Sequence, residues 1–80
     1  MAKAQHSQPY RLLPIFLREM RESAGMTQRD LGKVLKKPQS WIHNCESANR
    51  RVDVTEFVAW SNACGVEPMK AFAGILAKLR

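Results

Sequence analysis

No stretch of this chain approaches the roughly 18 uninterrupted apolar residues of a membrane-spanning helix. The opening residues Met1 to Gln8 are small and polar and contain no apolar run of the kind a secretion signal needs. Spanning and exported classes are thereby set aside, which leaves a cytoplasmic protein as the expectation. Cysteine is scarce: Cys45 and Cys64 are the only two and lack CxxC spacing, so free buried thiols are expected rather than a redox or zinc motif. No Gly-rich loop follows a strand, and Ser, His and acidic residues are few. A domain of this size also has little room for an enclosed pocket, so no enzyme, cofactor or metal site is expected. Internal repeats, low-complexity tracts and strand-like alternation are missing as well.

What remains is short, basic and sufficiently apolar to fold. The 80 residues suffice for one domain, in which folding buries roughly 60 to 65% of the unfolded surface. A 45% apolar fraction with two Trp and three Phe exceeds what a disordered chain carries. We therefore expect a loose tail over 1–8 and one domain over 9–80. Thirteen Lys or Arg against seven acids give a formal charge of +6, which favours an anionic partner through steering and counterion release. Charge alone does not choose among nucleic acid, anionic membrane and acidic protein.

Local signals divide the chain into five helices. Pro14 suits a first turn, and Leu13, Leu17, Met20 and Ala24 then recur on one face until Gly25. Thr27 with Asp30 reads as a capping box opening a short second helix with the stripe Leu31, Val34 and Leu35. Lys36-Lys37-Pro38 interrupts it, and a third helix spans residues 39–47, with Ile42 and Cys45 as its core stripe and Trp41 alongside. Asp53 with Glu56 is a second box, opening a helix with Val54, Phe57, Val58, Ser61 and Cys64 on one face, Trp60 at its margin and Gly65 at its end. Pro68 starts a fifth helix whose Met69, Phe72, Ala73, Ile75, Leu76 and Leu79 cover more than one narrow stripe. The fold class is all-α.

Two short helices joined by a tight turn, the second with a polar outer face, form a unit whose second helix fits the DNA major groove. At about 100° per residue, Gln39, Ser40, His43, Asn44 and Ser47 cluster opposite Ile42 and Cys45. Gln and Asn suit adenine, since one amide can donate to N7 and accept from N6 together, whereas Ser is less selective.

The series Thr27-Gln28-Arg29-Asp30-Leu31-Gly32, Pro38-Gln39-Ser40-Trp41-Ile42, Cys45-Glu46-Ser47 and Arg50-Arg51 resembles the helix-turn-helix pattern of the lambda-repressor/Cro-like family, over about Leu17 to Phe72. The resemblance implies a compact five-helix DNA-binding domain. It places Gln28 on a phosphate across the groove, Gln39 and Ser40 on the first base-reading positions, and Asn44 on a later one. Ser47, Asn49, Arg50 and Arg51 correspond to a loop along the DNA backbone, and Arg21 with Glu46 to a pair tying the first helix to the third. Three positions depart from the pattern. Gly32 replaces a small Ala, lowering helix propensity by roughly 1 kcal/mol. Lys36 and Ala48 stand where Gly is common, so a left-handed backbone at Lys36 would be strained.

Several residues keep a plainer reading beside the functional one. His43 is either solvated or touches a phosphate or base, with no ligand-spaced partner for zinc. Trp41 either caps the core or meets a thymine methyl or sugar. Lys36 and Lys37 are solubilising charges or phosphate contacts. Arg21 and Glu46 are a surface pair worth little, or a partly buried registry device. The function these readings converge on is sequence-specific recognition of double-stranded DNA by a transcriptional regulator, a repressor or autoregulator. A homodimer joined through the fifth helix would read two half-sites. The rival is a protein-interaction module such as an antitoxin, with a toxin or polymerase as its protein partner and the fifth helix as its docking surface. Binding to anionic lipid is disfavoured by the weak apolar moment of the third helix, so no membrane partner is expected.

Overall fold

In the computed structural model, which describes residues 8–79, every regular segment is helical: α1 (Gln8–Ser23), α2 (Gln28–Leu35), α3 (Gln39–Glu46), α4 (Val54–Ala63) and α5 (Pro68–Leu79). Among the described residues there is no strand. The expected tail lies outside the described residues, except that Gln8 already belongs to α1.

Both expected capping boxes are present. The Thr27 hydroxyl accepts from the Asp30 amide at 3.0 Å, and the Asp30 carboxylate accepts from the Thr27 amide at 3.0 Å. Asp53 and Glu56 do the same for α4, at 2.8 and 2.9 Å. These backbone donors hold the Asp30 and Asp53 carboxyls below the usual Asp range. At the other ends, Gly25 and Gly65 each take φ 75°, the left-handed turn that lets α1 and α4 stop abruptly.

The core gathers Leu17 of α1, Leu31 of α2, Ile42 and Cys45 of α3, and Trp60 and Ser61 of α4, all fully buried. The Trp60 indole Nε1 donates to the Leu17 carbonyl at 3.1 Å, so the largest core side chain also satisfies its polar atom. Helix α2 packs on α3 and α4, α3 rests on α1, and α5 closes the bundle against α1 and α4.

Four expectations about the helices need correction. Pro14 does not open α1; it lies inside the helix, buried, with residues 8–13 of the helix before it. An interior proline weakens a helix, but the first turn is held from outside, because the Tyr10 hydroxyl accepts the Val52 amide at 2.8 Å. The buried face of α4 is Phe57, Trp60, Ser61 and half-buried Cys64, about one residue round from the expected stripe, with Val54 and Val58 exposed. Trp60 wins the centre because burying a large indole removes more apolar surface from water than burying a valine. Val34 on α2, Met69 on α5 and Ala24 after α1 are exposed too. Helix α3 ends at Glu46, with Ser47 as its C-cap.

Candidate nucleic-acid interface

The link between α2 and α3 is set by main chain against main chain. Lys36 adopts a left-handed conformation, φ 59° and ψ 44°, and the Lys37 amide then donates to the Gly32 carbonyl at 2.8 Å. A Cβ added to Gly32 would stand 2.7 Å from the Lys37 carbonyl oxygen, so this position requires glycine for space. Alanine would not merely restore lost helix propensity here; it would push the turn away. Lys36 does carry the left-handed backbone that its place in the pattern suggested, and Ala48 after α3 does likewise, at φ 65°.

Helix α3 meets the requirement of one hidden and one free side. Ile42 and Cys45 are fully buried, while Gln39, Ser40 and His43 are exposed together with the cap residue Ser47. Asn44 is half-buried, and its carbonyl accepts the Asn49 and Arg50 amides at 3.0 and 3.2 Å, folding the basic loop back along the helix end.

A hydrogen-bonded series runs from the core to the free edge of α3. Arg21, buried on α1, donates from Nε to Glu46 Oε2 at 2.6 Å and from Nη2 to Glu46 Oε1 at 3.0 Å, a two-pronged ion pair. Its Nη1 donates to the Met26 carbonyl at 2.7 Å. The pair's side chains are only 9% and 4% exposed, so it is a buried pair and not a surface one. Hydrogen bonding to Glu46 raises the Arg21 pKa further above its ordinary value. Glu46 Oε1 also accepts from Gln28 Nε2 at 3.1 Å, and Gln28 Oε1 accepts from Gln39 Nε2 at 3.4 Å.

Trp41 is half-buried, its ring 6.4 Å from that of Trp60. The Lys37 ammonium and the Arg50 guanidinium lie 5.1 and 4.8 Å from its centroid, so the aromatic surface collects two cations beside α3. Arg50 is also tied to Glu56 at 3.1 Å and to Cys45 Sγ at 3.8 Å, and Glu56 raises its pKa. Arg51 is exposed and stacks on Tyr10 at 5.3 Å. Lys36 and Asn49 are exposed, and Gln28 is half-buried. Both thiols are free, and burial pushes both upward, Cys64 to about 11. Among the described residues, no three His, Cys, Asp or Glu side chains group as metal ligands would, and no helix is long and apolar enough to cross a membrane.

A profile of the helix-turn-helix domain family matches residues 13–71 of this chain. Among solved structures, an XRE-family like protein from Pseudomonas syringae pv. tomato str. DC3000 superposes with a TM-score of 0.83 at 35% identity, covering 94% of this chain and 92% of that one. No curated protein matches the sequence. The chain belongs to the XRE, lambda-repressor-like family of helix-turn-helix proteins. At the level this family sets, it is a DNA-binding regulator.

Two residues that support the helix-turn-helix protein's site, and the partners of a third, were not read from the sequence. Glu56, taken only as a cap, also anchors Arg50. Tyr10 supports Arg51, although nothing near it in the chain signals that. Gln28, read as a phosphate contact alone, is bonded to Glu46 and Gln39; its position among polar residues of a helix start gave no hint of an internal partner.

Proposed function

We propose that this helix-turn-helix protein is a sequence-specific transcriptional regulator, a repressor or autoregulator, that acts by binding double-stranded DNA rather than by catalysis. Helix α3 enters the major groove, where Gln39, Ser40 and Asn44 read base edges, with Trp41 and His43 at the margin of the contact. Gln28, Lys36 and Lys37 before the groove helix, and Ser47, Asn49, Arg50 and Arg51 after it, hold the phosphates on either side. The observation that carries this reading is the division of α3 into a fully buried side, Ile42 and Cys45, and an exposed side of Gln39, Ser40 and His43. Arg50 serves two ends: its ties to Glu56 and Trp41 set the loop, and the guanidinium protons not bonded to Glu56 are donors for a phosphate.

Recognition is proposed to be dimeric. Phe72, Leu76 and Leu79 are exposed at helical spacing on α5, and Phe72 and Leu79 border a groove of about 420 Å³ that also includes Leu13 and Val54. This apolar surface also favours the second reading, in which the main partner is a protein such as a toxin; co-purification with one fixed partner would support it.

The test is selection of bound sites from random duplexes. A palindrome with half-sites about one helical turn apart is expected. Gln39→Ala should lose roughly 1 to 3 kcal/mol of discrimination at one base pair. Equal preference of the variant and the parent at every position would remove Gln39 from the reading set.

A further inference from the structure

We propose that Glu46 is a specificity-positioning residue: through Gln28 it fixes which end of the Gln39 amide is presented to the groove. This rests on the reading above, in which Gln39 faces a base pair. The argument follows from donors and acceptors alone. A carboxylate accepts and cannot donate, so the atom of Gln28 against Glu46 Oε1 must be the amino group, as the 3.1 Å contact has it. Gln28 then turns its carbonyl oxygen to Gln39, and an oxygen there demands the amino group of Gln39, the 3.4 Å contact. One proton of Gln39 Nε2 is thereby taken, and the other is left beside Oε1 as a donor–acceptor pair of fixed handedness. That pair matches adenine, which offers N7 to accept and N6 to donate. Without the relay, the Gln39 amide can turn over and present its groups in reverse.

Arg21 makes the setting rigid. It occupies both Glu46 oxygens from the core side, at 2.6 and 3.0 Å, so the carboxylate cannot rotate to release Gln28. The Glu46 side chain is only 4% exposed, so it acts through Gln28 and Gln39.

The experiment compares three variants by random-duplex selection, by affinity for an unrelated duplex across a salt series, and by thermal melting. Gln39→Ala tests the underlying reading. Gln28→Met cuts the relay while leaving the Arg21–Glu46 pair whole, and Glu46→Gln allows the amide next to Gln28 to face either way. Gln28→Met should relax the adenine preference at the Gln39 base pair about tenfold. Its melting temperature should be nearly unchanged, and its salt slope should stay close to the parent's, because a neutral amide neutralises no phosphate. Glu46→Gln should relax the same base pair and no other. If Gln39→Ala loses that preference while Gln28→Met or folded Glu46→Gln keeps it, the relay is overturned and the groove reading stands. If Gln39→Ala changes nothing, both fall. Should Glu46→Gln fail to fold, the parent protein decides: one side-chain amide proton of Gln28, assigned by its loss in Gln28→Met, should be shifted downfield and exchange slowly in nitrogen-correlated NMR. A pair of protons indistinguishable from a solvated glutamine overturns the proposal.

Discussion

Replacing Ala48 or Lys36 by glycine should make this protein more stable. Both residues occupy the left-handed region, at φ 65° and φ 59°, where a Cβ crowds the carbonyl oxygen. The crowding costs about 1–2 kcal/mol for an L-residue. Glycine removes it but gives the unfolded chain more freedom, worth about 0.5–1 kcal/mol in the opposite direction. The difference is a net gain of about 0.5–1 kcal/mol per site, or roughly 2–8 °C in melting temperature for a domain of this size. Ala48→Gly is the cleaner measurement, because it alters no charge and removes only one methyl group. Lys36→Gly should give a similar gain, while its DNA salt slope falls by about 0.9 if the ammonium neutralises one phosphate. Thermal unfolding followed by circular dichroism at several scan rates is sufficient. A melting temperature for Ala48→Gly equal to or below the parent's would refute the strain argument.

Four further outcomes are expected. Arg21→Ala should cost about 3–5 kcal/mol by leaving a buried carboxylate unpaired, whereas Arg21→Met combined with Glu46→Leu should recover most of the loss; denaturant melts of both variants check this. Trp60→Ala should cost about 3–5 kcal/mol, a large part of the roughly 4–12 kcal/mol that stabilises an 80-residue domain. The Asp30 and Asp53 carboxyls sit below their unfolded pKa, so their contribution is complete above about pH 4 and is lost as pH falls through the depressed folded values. Melting temperatures of Asp53→Asn and the parent should therefore converge on acidification below pH 4, and a gap that does not narrow contradicts the assignment. Cys64, raised to about 11, and buried Cys45 should resist alkylation at pH 7 and react once the chain is unfolded, as mass spectrometry of native and denatured samples will reveal.

The parts of this molecule that were legible from the sequence are those governed by neighbours in the chain. Thr27 with Asp30 and Asp53 with Glu56 announce helix starts because a cap and its donor are three residues apart. The α3 division between Ile42 with Cys45 and the Gln39 side follows from helical period alone. Pro14 misled because the same residue fits a first turn or an interior position, and the difference is made by Tyr10 meeting Val52, 42 residues away. On α4, Val58 and Trp60 are both apolar and adjacent faces compete; only the space between α1 and α3 decides in favour of the indole. The candidate site divides in the same way. Residue types and order pointed to Gln28, Gln39 and the Arg21–Glu46 pair, but the bonds joining them into one series depend on how α1, α2 and α3 are stacked.

At Gly32 the polypeptide touches itself without any side chain intervening, and that has an evolutionary consequence. The tilt of α3 is inherited from peptide groups common to every sequence, so exchanges at Gln39, Ser40 or Asn44 should leave its aim unaltered. On the proposed reading, lineages would acquire new operators by changing letters on a cylinder whose mounting stays the same.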